Sequence, residues 1–213
     1  MKTENKIQHI FIELSEHLPY SIFGVVVAIV TMGIMTFFIT ILQAESLLPK
    51  AAEELFHIFH PVHILLSAVV TTAMFWKHER RFMKALIIGF AGSVLICGLS
   101  DIVFPYFGGR ILGTHMHLHM CLLEHPHIII PFAVIGTLVG FLVPSVIEKS
   151  TEFSHSMHVL VSSMASLLYL ISFGVSEWTH VIGGVFIITV VAVILPCCLS
   201  DIVFPLTFLD SKT

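Results

Sequence analysis

Apolar residues fill six long stretches of this chain, and the charged residues gather in the short segments between them. The stretches lie at residues 21–43, 58–76, 85–105, 127–147, 155–174 and 181–205. About 20 apolar residues in a helix are needed to cross the hydrocarbon core of a bilayer, so each stretch predicts a membrane-spanning helix. Amphipathic segments precede the first and fourth stretches and are expected to lie as helices at the interface. The pattern predicts an all-α integral membrane protein with six transmembrane helices.

The composition agrees with this prediction. Hydrophobic residues make up 56% of the 213 residues and charged residues 11%, whereas soluble domains carry about 25% charged residues. The net charge is −4 and no basic segment occurs, which argues against nucleic acid as a partner. Residues 1–20 contain charges throughout and lack an apolar core, so no cleavable signal peptide is expected.

Lysine and arginine are distributed unevenly between the linking segments. With the N-terminus in the cytoplasm, only Lys50 and Arg110 lie outside. The other basic residues lie inside: Lys2, Lys6, Lys77, Arg80, Arg81, Lys84, Lys149 and Lys212. Cytoplasmic loops of membrane proteins carry this excess. The bias predicts a multi-pass protein of the cell (inner) membrane with both termini cytoplasmic.

The two halves of the chain repeat one another. The seven residues LSDIVFP at 99–105 recur at 199–205. Two weaker matches keep the same order: His60, His63 and Ser67 pair with His155, His158 and Ser162, and His9, Glu16 and His17 pair with His117, Glu124 and His125. We therefore divide the chain into a three-helix repeat at 1–107 and a second at 108–213. An odd number of spans per repeat inverts the second copy in the membrane, which is an arrangement typical of transporters.

The predicted orientation groups the polar residues into two clusters, each of which draws on both halves. The expected outer cluster contains His60, His63, Asp101, Glu124 and His125. The expected inner cluster contains Glu16, His17, His155, His158 and Asp201. Histidines at i and i+3 share one helix face and can reach one ion. Imidazole with carboxylate suits zinc, iron and similar metals, so all ten residues are candidate metal ligands.

Asp101 and Asp201 are the stronger candidates because apolar residues flank them on both sides. A carboxylate at the bilayer centre costs about 2.5–3.5 kcal/mol or more, so each should face a partner. Pro105 and Pro205 lie four residues beyond. Proline removes a backbone donor and is expected to break the helix near each aspartate. Broken helices are places where transporters coordinate ions.

Other histidines rank lower at this stage. His57 extends the histidine row of the second span but pairs with Ser154 in the repeat. The run THMHLHM at 114–120 is either a metal-collecting loop or an exposed linker, and His127 could extend the outer cluster. Cys97 and Cys197 stand one turn before the aspartates as further candidate ligands.

These patterns favour a transporter of divalent transition-metal cations, with zinc or ferrous iron first, over an enzyme. The metal ion is then the substrate or a bound ligand. The expected partners are metal ions and the lipid bilayer, and self-association into a homo-oligomer stays open. The alternatives are an intramembrane zinc-dependent hydrolase and a b-type haem protein with histidine axial ligands.

Overall fold

The computed structural model describes residues 3–142 and 151–198, which are helical and contain no β-strand. A π-helical turn at Leu99–Val103 joins the third helix to the fourth, and 3₁₀ turns occupy Glu45–Leu47 and Trp178–Val181. The α-helices in chain order are α1 Thr3–Ile41, α2 Leu48–His78, α3 Phe82–Gly98, α4 Phe104–Ile111, α5 Cys121–Glu124, α6 Pro126–Gly140, α7 Thr151–Ser172 and α8 Ile182–Cys198.

Each of the six predicted spans overlaps a helical segment, although residues 143–147 of the fourth and 199–205 of the sixth lie outside the described residues. Within the described ranges, three segments are long and apolar enough to cross a membrane: Leu18–Ile41, Glu45–His78 and Phe82–Ile111. Three further apolar helices are shorter: Pro126–Gly140, Ser156–Ser172 and Trp178–Ile194. The chain is therefore a helical protein with apolar helices compatible with a membrane.

The segments before the first and fourth spans differ from their expected form. Residues 4–18 are not a separate interfacial helix, because α1 continues without interruption through Pro19 into the first span. Before the fourth span the helix α5 has only four residues, Cys121–Glu124. The preceding residues, 114–120, have no helical structure.

Helices α2 and α7 form the centre of the bundle. They pack against each other, and α2 also packs against α3 and α6. Helix α1 packs against α7 and α8, α3 packs against α6, and α7 packs against α8. The side chains of α7 from Leu167 to Ile171 are fully buried. Side chains on the inner faces of α2 and α7 are thus held in fixed positions by neighbours on several sides.

The distribution of polarity differs from that of a water-soluble protein, because apolar side chains occupy the surface as well as the core. Large apolar side chains face outward on several helices, for example Phe23, Phe37, Ile87 and Ile187. Polar side chains are buried, among them His60, His63, Ser67, Thr71, Ser100, Asp101, His158, Ser162 and Ser166. An extended apolar surface is stable only against lipid or a partner protein. Buried polar groups in such a bundle must satisfy one another.

Glycines allow the close approach of α6 to α2. A Cβ atom at Gly136 would lie 2.4 Å from the carbonyl oxygen of Leu65, and one at Gly140 would lie 2.7 Å from that of Val69. The two glycines are four residues apart, which is the spacing that brings helix backbones together in membranes. Contact with backbone, unlike contact with a flexible side chain, cannot be relieved by a rotamer change.

We expect Gly136→Ala to destabilise the protein by about 1–3 kcal/mol, because overpacking against a backbone forces the helices apart. The control is Gly33→Ala in α1, where nothing lies within 4 Å of the added methyl group. That substitution should be neutral or stabilising by about 0.5–1 kcal/mol. Unfolding in mixed micelles measures both changes. Equal stability of the two variants would contradict the proposed packing of α6 on α2.

Candidate functional site

Asp101 is fully buried in the π turn between α3 and α4. Pro105 has no backbone N–H, and its ring would clash with the carbonyl group four residues earlier, which is that of Asp101. The helix responds by widening, and the N–H of Phe104 donates to the carbonyl of Leu99, five residues back. The predicted break is therefore a π turn, a feature frequent at functional sites.

The widened turn would leave the carbonyl of Ser100 without a backbone donor, since Phe104 bonds to Leu99 and residue 105 is proline. The hydroxyl of Ser166 on α7 donates to that carbonyl at 3.1 Å. Ser162, one turn earlier on α7, donates to Oδ1 of Asp101 at 3.3 Å and lies 2.9 Å from the hydroxyl of Ser100. Helix α7 thus holds both the turn and its carboxylate.

The other carboxylate oxygen bonds two histidines of α2. Nδ1 of His60 and Nδ1 of His63 lie 2.8 and 2.7 Å from Oδ2 of Asp101. Because a carboxylate only accepts hydrogen bonds, each Nδ1 donates and each Nε2 is turned away from the acid. A metal-binding histidine usually donates its other ring N–H to a carboxylate in this way, and the carboxylate orients the ring.

His158 of α7 completes the group. Its Nε2 lies 2.8 Å from Nε2 of His63, and the ring centroids are 4.7 Å apart. Both rings are almost fully buried. Two imidazole nitrogens that face each other repel unless a proton or a cation lies between them. We call His60, His63, Asp101, His158 and Ser162 the central cluster.

A second group of histidines lies nearer the surface. Nε2 of His57 is 3.0 Å from Nε2 of His119, and a ligand atom of His125 lies within 4.8 Å of both. Nδ1 of His119 is 2.9 Å from a carboxylate oxygen of Glu124. We call His57, His119, Glu124 and His125 the loop cluster. It borders a cleft of about 590 Å³ whose lining includes His119, Glu124 and His125.

Helix α7 fixes the loop that carries His119. The hydroxyl of Tyr169 accepts a bond from the backbone N–H of His119 at 3.1 Å and donates to the carbonyl of His117 at 3.3 Å. The N–H of His117 donates to the carbonyl of Phe173 at 2.8 Å. The imidazole of His119 stacks on the Phe173 ring at 4.8 Å. Residues 117–119 are therefore held against the end of α7.

The electrostatics of the loop cluster favour a neutral imidazole beside an ionised carboxylate. Burial lowers the pKa of His119 below its ordinary value of 6.5, against the opposing effect of Glu124. The backbone N–H of Met120 donates to Glu124 at 3.0 Å and lowers the pKa of that carboxyl group. At neutral pH His119 thus presents a lone pair, which metal binding requires.

Phe56 contacts rings of both clusters. It stacks on His60 with ring centroids 5.2 Å apart, and it meets the His119 ring edge-on at 6.4 Å. Tyr169 and Phe173 pack edge-on against its other sides. The rings of Phe56 and Tyr169 are fully buried, and together with Phe173, which lines the cleft, they lie between the cleft and the central cluster.

The predicted site residues fall into three groups. His60, His63, Asp101 and His158 meet in the central cluster, so that members of both predicted clusters share one site. Glu124 and His125 lie in the loop cluster instead, because the loop reaches α2 one turn earlier, at His57. The side chains of Glu16, His17 and His155, and the whole of Asp201, lie outside the described residues.

Three contributions to the site were missed or ranked low from the sequence. Sequence reasoning did not single out His119, although the alternating His–Met run was a signal for metal binding. It ranked His57 low because the repeat pairs this residue with a serine. It also did not assign Ser162 or Ser166 to Asp101, and no sequence spacing links residues more than 60 positions apart.

Replacing Ser166 by alanine should destabilise the protein by about 1–3 kcal/mol, because the buried carbonyl of Ser100 then lacks its donor. Ser163→Ala is the matched control. Ser163 is equally buried, but its hydroxyl bonds the carbonyl of Val159 in its own helix. We expect the control to cost about 1 kcal/mol or less. A larger effect of the control in an unfolding titration would argue against the role assigned to Ser166.

Comparisons with known proteins do not assign this chain to a family. It matches no family model, no curated protein and no solved structure. Its function is therefore inferred from the donor atoms of the two clusters and from the helices that bring them together.

Proposed function

We propose that this chain is a six-span membrane protein that transports a divalent transition-metal cation, with zinc or ferrous iron as the expected substrate. The contact between His63 and His158 carries the proposal. Their Nε2 atoms lie 2.8 Å apart in a buried position, and one comes from each half of the chain. A metal ion and a proton are alternative occupants of the space between two such nitrogens.

The packing of the helices supports an inverted repeat. The repeat pairs α1 with α6, α2 with α7 and α3 with α8. If each helix is replaced by its counterpart in the other half, the contact of α2 with α6 corresponds to that of α7 with α1. Both contacts are extensive. The contact of α1 with α8 likewise becomes that of α6 with α3, which also occurs. His63 and His158 are themselves equivalent residues, so they meet where an axis relating the halves would pass.

The donor set supports a transition metal rather than magnesium or calcium. Imidazole suits zinc, iron, nickel and copper, whereas magnesium and calcium prefer oxygen ligands only. His63 has its Nδ1 bonded to Asp101, which fixes the tautomer and leaves Nε2 for the ion. Bound zinc needs about 3.3 Å between neighbouring nitrogen ligands in a tetrahedron. The two rings need to part by only about 0.5 Å to admit it.

The row of histidines on α2 supports a path to this position. His57, His60 and His63 recur every three residues, so each step advances about 4.5 Å along one face of the helix. His57 belongs to the loop cluster at the cleft and His63 to the central cluster. Phe56 and its aromatic neighbours lie between them. The described arrangement corresponds to a conformation closed between the cleft and the centre.

The two alternative functions receive less support from the central cluster. The void bordered by His63, Ser67, Cys97 and His158 has no room for a water molecule, which a hydrolase would need beside its metal. The separation of 2.8 Å between the two Nε2 atoms leaves no slot for a porphyrin ring. We therefore retain metal transport as the proposed function.

In proteoliposomes loaded with a zinc-sensitive dye, Asp101→Asn should slow zinc influx by about 10–100-fold, the usual effect of losing a carboxylate that orients a metal ligand. Glu54→Gln is the control, since this acid lies on α2 and is exposed. The sequence repeat predicts a comparable loss for Asp201→Asn. Wild-type influx in the Asp101 variant would remove the central cluster from the transport path.

Substituting His63 and His158 singly and together tests whether they share one ion. Residues that act on the same ion are not additive. We therefore expect His63→Ala and His158→Ala each to abolish most of the influx, and the double variant to be no slower than either one. Losses that multiply in the double variant would indicate two independent roles.

A further inference from the structure

We infer that the loop cluster is a metal-binding site of its own, with His57, His119 and His125 as ligands and Glu124 as the residue that orients His119. The site takes zinc or a similar divalent transition metal. The inference goes beyond the proposed function, because it concerns binding at the cleft and holds whether or not the chain transports the ion.

The three imidazoles lie close together, and one pair of them has about the spacing found in a metal shell. The ligand atoms lie within 4.8 Å of one another, and Nε2 of His57 and Nε2 of His119 are 3.0 Å apart. Tetrahedral zinc with bonds of about 2.0–2.1 Å places its nitrogen ligands about 3.3 Å apart. The His57 ring is inclined by 79° to His119 and by 80° to His125. The plane of the His57 ring is thus close to perpendicular to the planes of the other two.

Glu124 determines which nitrogen of His119 is available. Its carboxylate accepts a bond from Nδ1 at 2.9 Å, so the lone pair of the neutral ring is on Nε2, the atom that faces His57. The carboxylate is in turn held by the N–H of Met120. A histidine that donates to a carboxylate through its second nitrogen is the usual form of a protein metal ligand.

The site is positioned before any ion arrives. His57 is fixed by α2, and the backbone of His119 is fixed by Tyr169 of α7. His125 caps the start of α6, where Pro126 begins the helix. Three elements thus converge on one position, and this lowers the ordering cost of binding. Three histidines leave a fourth ligand position open, and two of them, His119 and His125, line the cleft. An ion can enter and leave from that side.

The two clusters are chemically distinct. The central cluster is enclosed and contains a carboxylate bonded to two imidazoles, whereas the loop cluster has three imidazoles beside an open cleft. Phe56 lies between them in contact with both. The loop cluster can therefore bind metal while the central cluster is closed, and it would be the first ligand set that an ion meets from the cleft.

Cobalt(II) titration of the purified full-length protein tests the inference, because cobalt bound by four ligands in a tetrahedron absorbs strongly in the visible range. His57→Ala and His119→Ala should each remove one equivalent of bound cobalt and its absorption. Glu124→Gln should keep the site but weaken binding by about 10–100-fold. His127→Ala is the matched control, since its ring lies 6.0 Å from His125 and outside the cluster. It should bind as the wild type does.

The outcomes separate this inference from the transport proposal. Unchanged cobalt binding in folded His57→Ala and His119→Ala would overturn the inference, and so would an equal loss in His127→Ala. Asp101→Asn should retain the equivalent that these variants lose. If the wild type binds one equivalent only, and that one is lost in His119→Ala but not in Asp101→Asn, the loop site stands and the central site fails. Circular dichroism and gel filtration verify that each variant is folded.

Discussion

A buried carboxylate that receives bonds from two imidazoles governs the arrangement of this molecule. Asp101 has no exposed surface, and its oxygens bond His60, His63 and Ser162. An unpartnered carboxylate in an apolar interior is costly. The three partners come from α2 and α7, so the fold must hold these helices and the π turn in one register. The helix contacts described above serve this requirement.

One proline links sequence to site geometry. Because Pro105 cannot continue the helical hydrogen bonds, the chain widens at Leu99–Val103 and directs Asp101 toward α2. The hydroxyl of Ser166 on α7 then replaces the backbone bond that the turn has lost. The hydrogen bond to Asp101 orients the ring of His63, and this orientation determines the position of its Nε2. The proposed metal chemistry at the centre thus depends on a local defect that neighbouring side chains stabilise.

The arrangement of two histidine groups along α2 suggests how access could be controlled. His119 and His125 line the cleft, His63 is buried, and the aromatic ring of Phe56 contacts both groups. In the proposed pathway, an ion moving from the loop cluster to the central cluster displaces Phe56 from Tyr169 and Phe173. In the proposed cycle, rocking of one half of the chain against the other would separate α2 from α7, which carries Tyr169 and is followed directly by Phe173. The same motion would separate His63 from His158.

Much of this arrangement could be predicted from the sequence because it follows from local rules. The apolar stretches predicted the helices, and the spacing of His60 and His63 predicted that they share one helix face. Asp101 within an apolar stretch, with a proline four residues on, predicted a disturbed helix whose carboxylate needs partners. The repeat pointed to His158 as the counterpart of His63, but not to their direct contact. The remaining features depend on how the helices pack and on the path of the loop back to α2. They are the contact between His63 and His158, the bonds from Ser162 and Ser166, and the separation of Glu124 and His125 from Asp101. A periodic pattern of residues encodes neither the packing of the helices nor the path of the loop.

The most direct test of the central claim is anomalous X-ray diffraction at the zinc edge from crystals of His119→Ala, in which the loop cluster is disabled. We expect one strong anomalous peak between Nε2 of His63 and Nε2 of His158, about 2.0–2.1 Å from each atom. Crystals grown with zinc that show the two imidazoles ordered and still in direct contact, without a peak between them, would contradict the account.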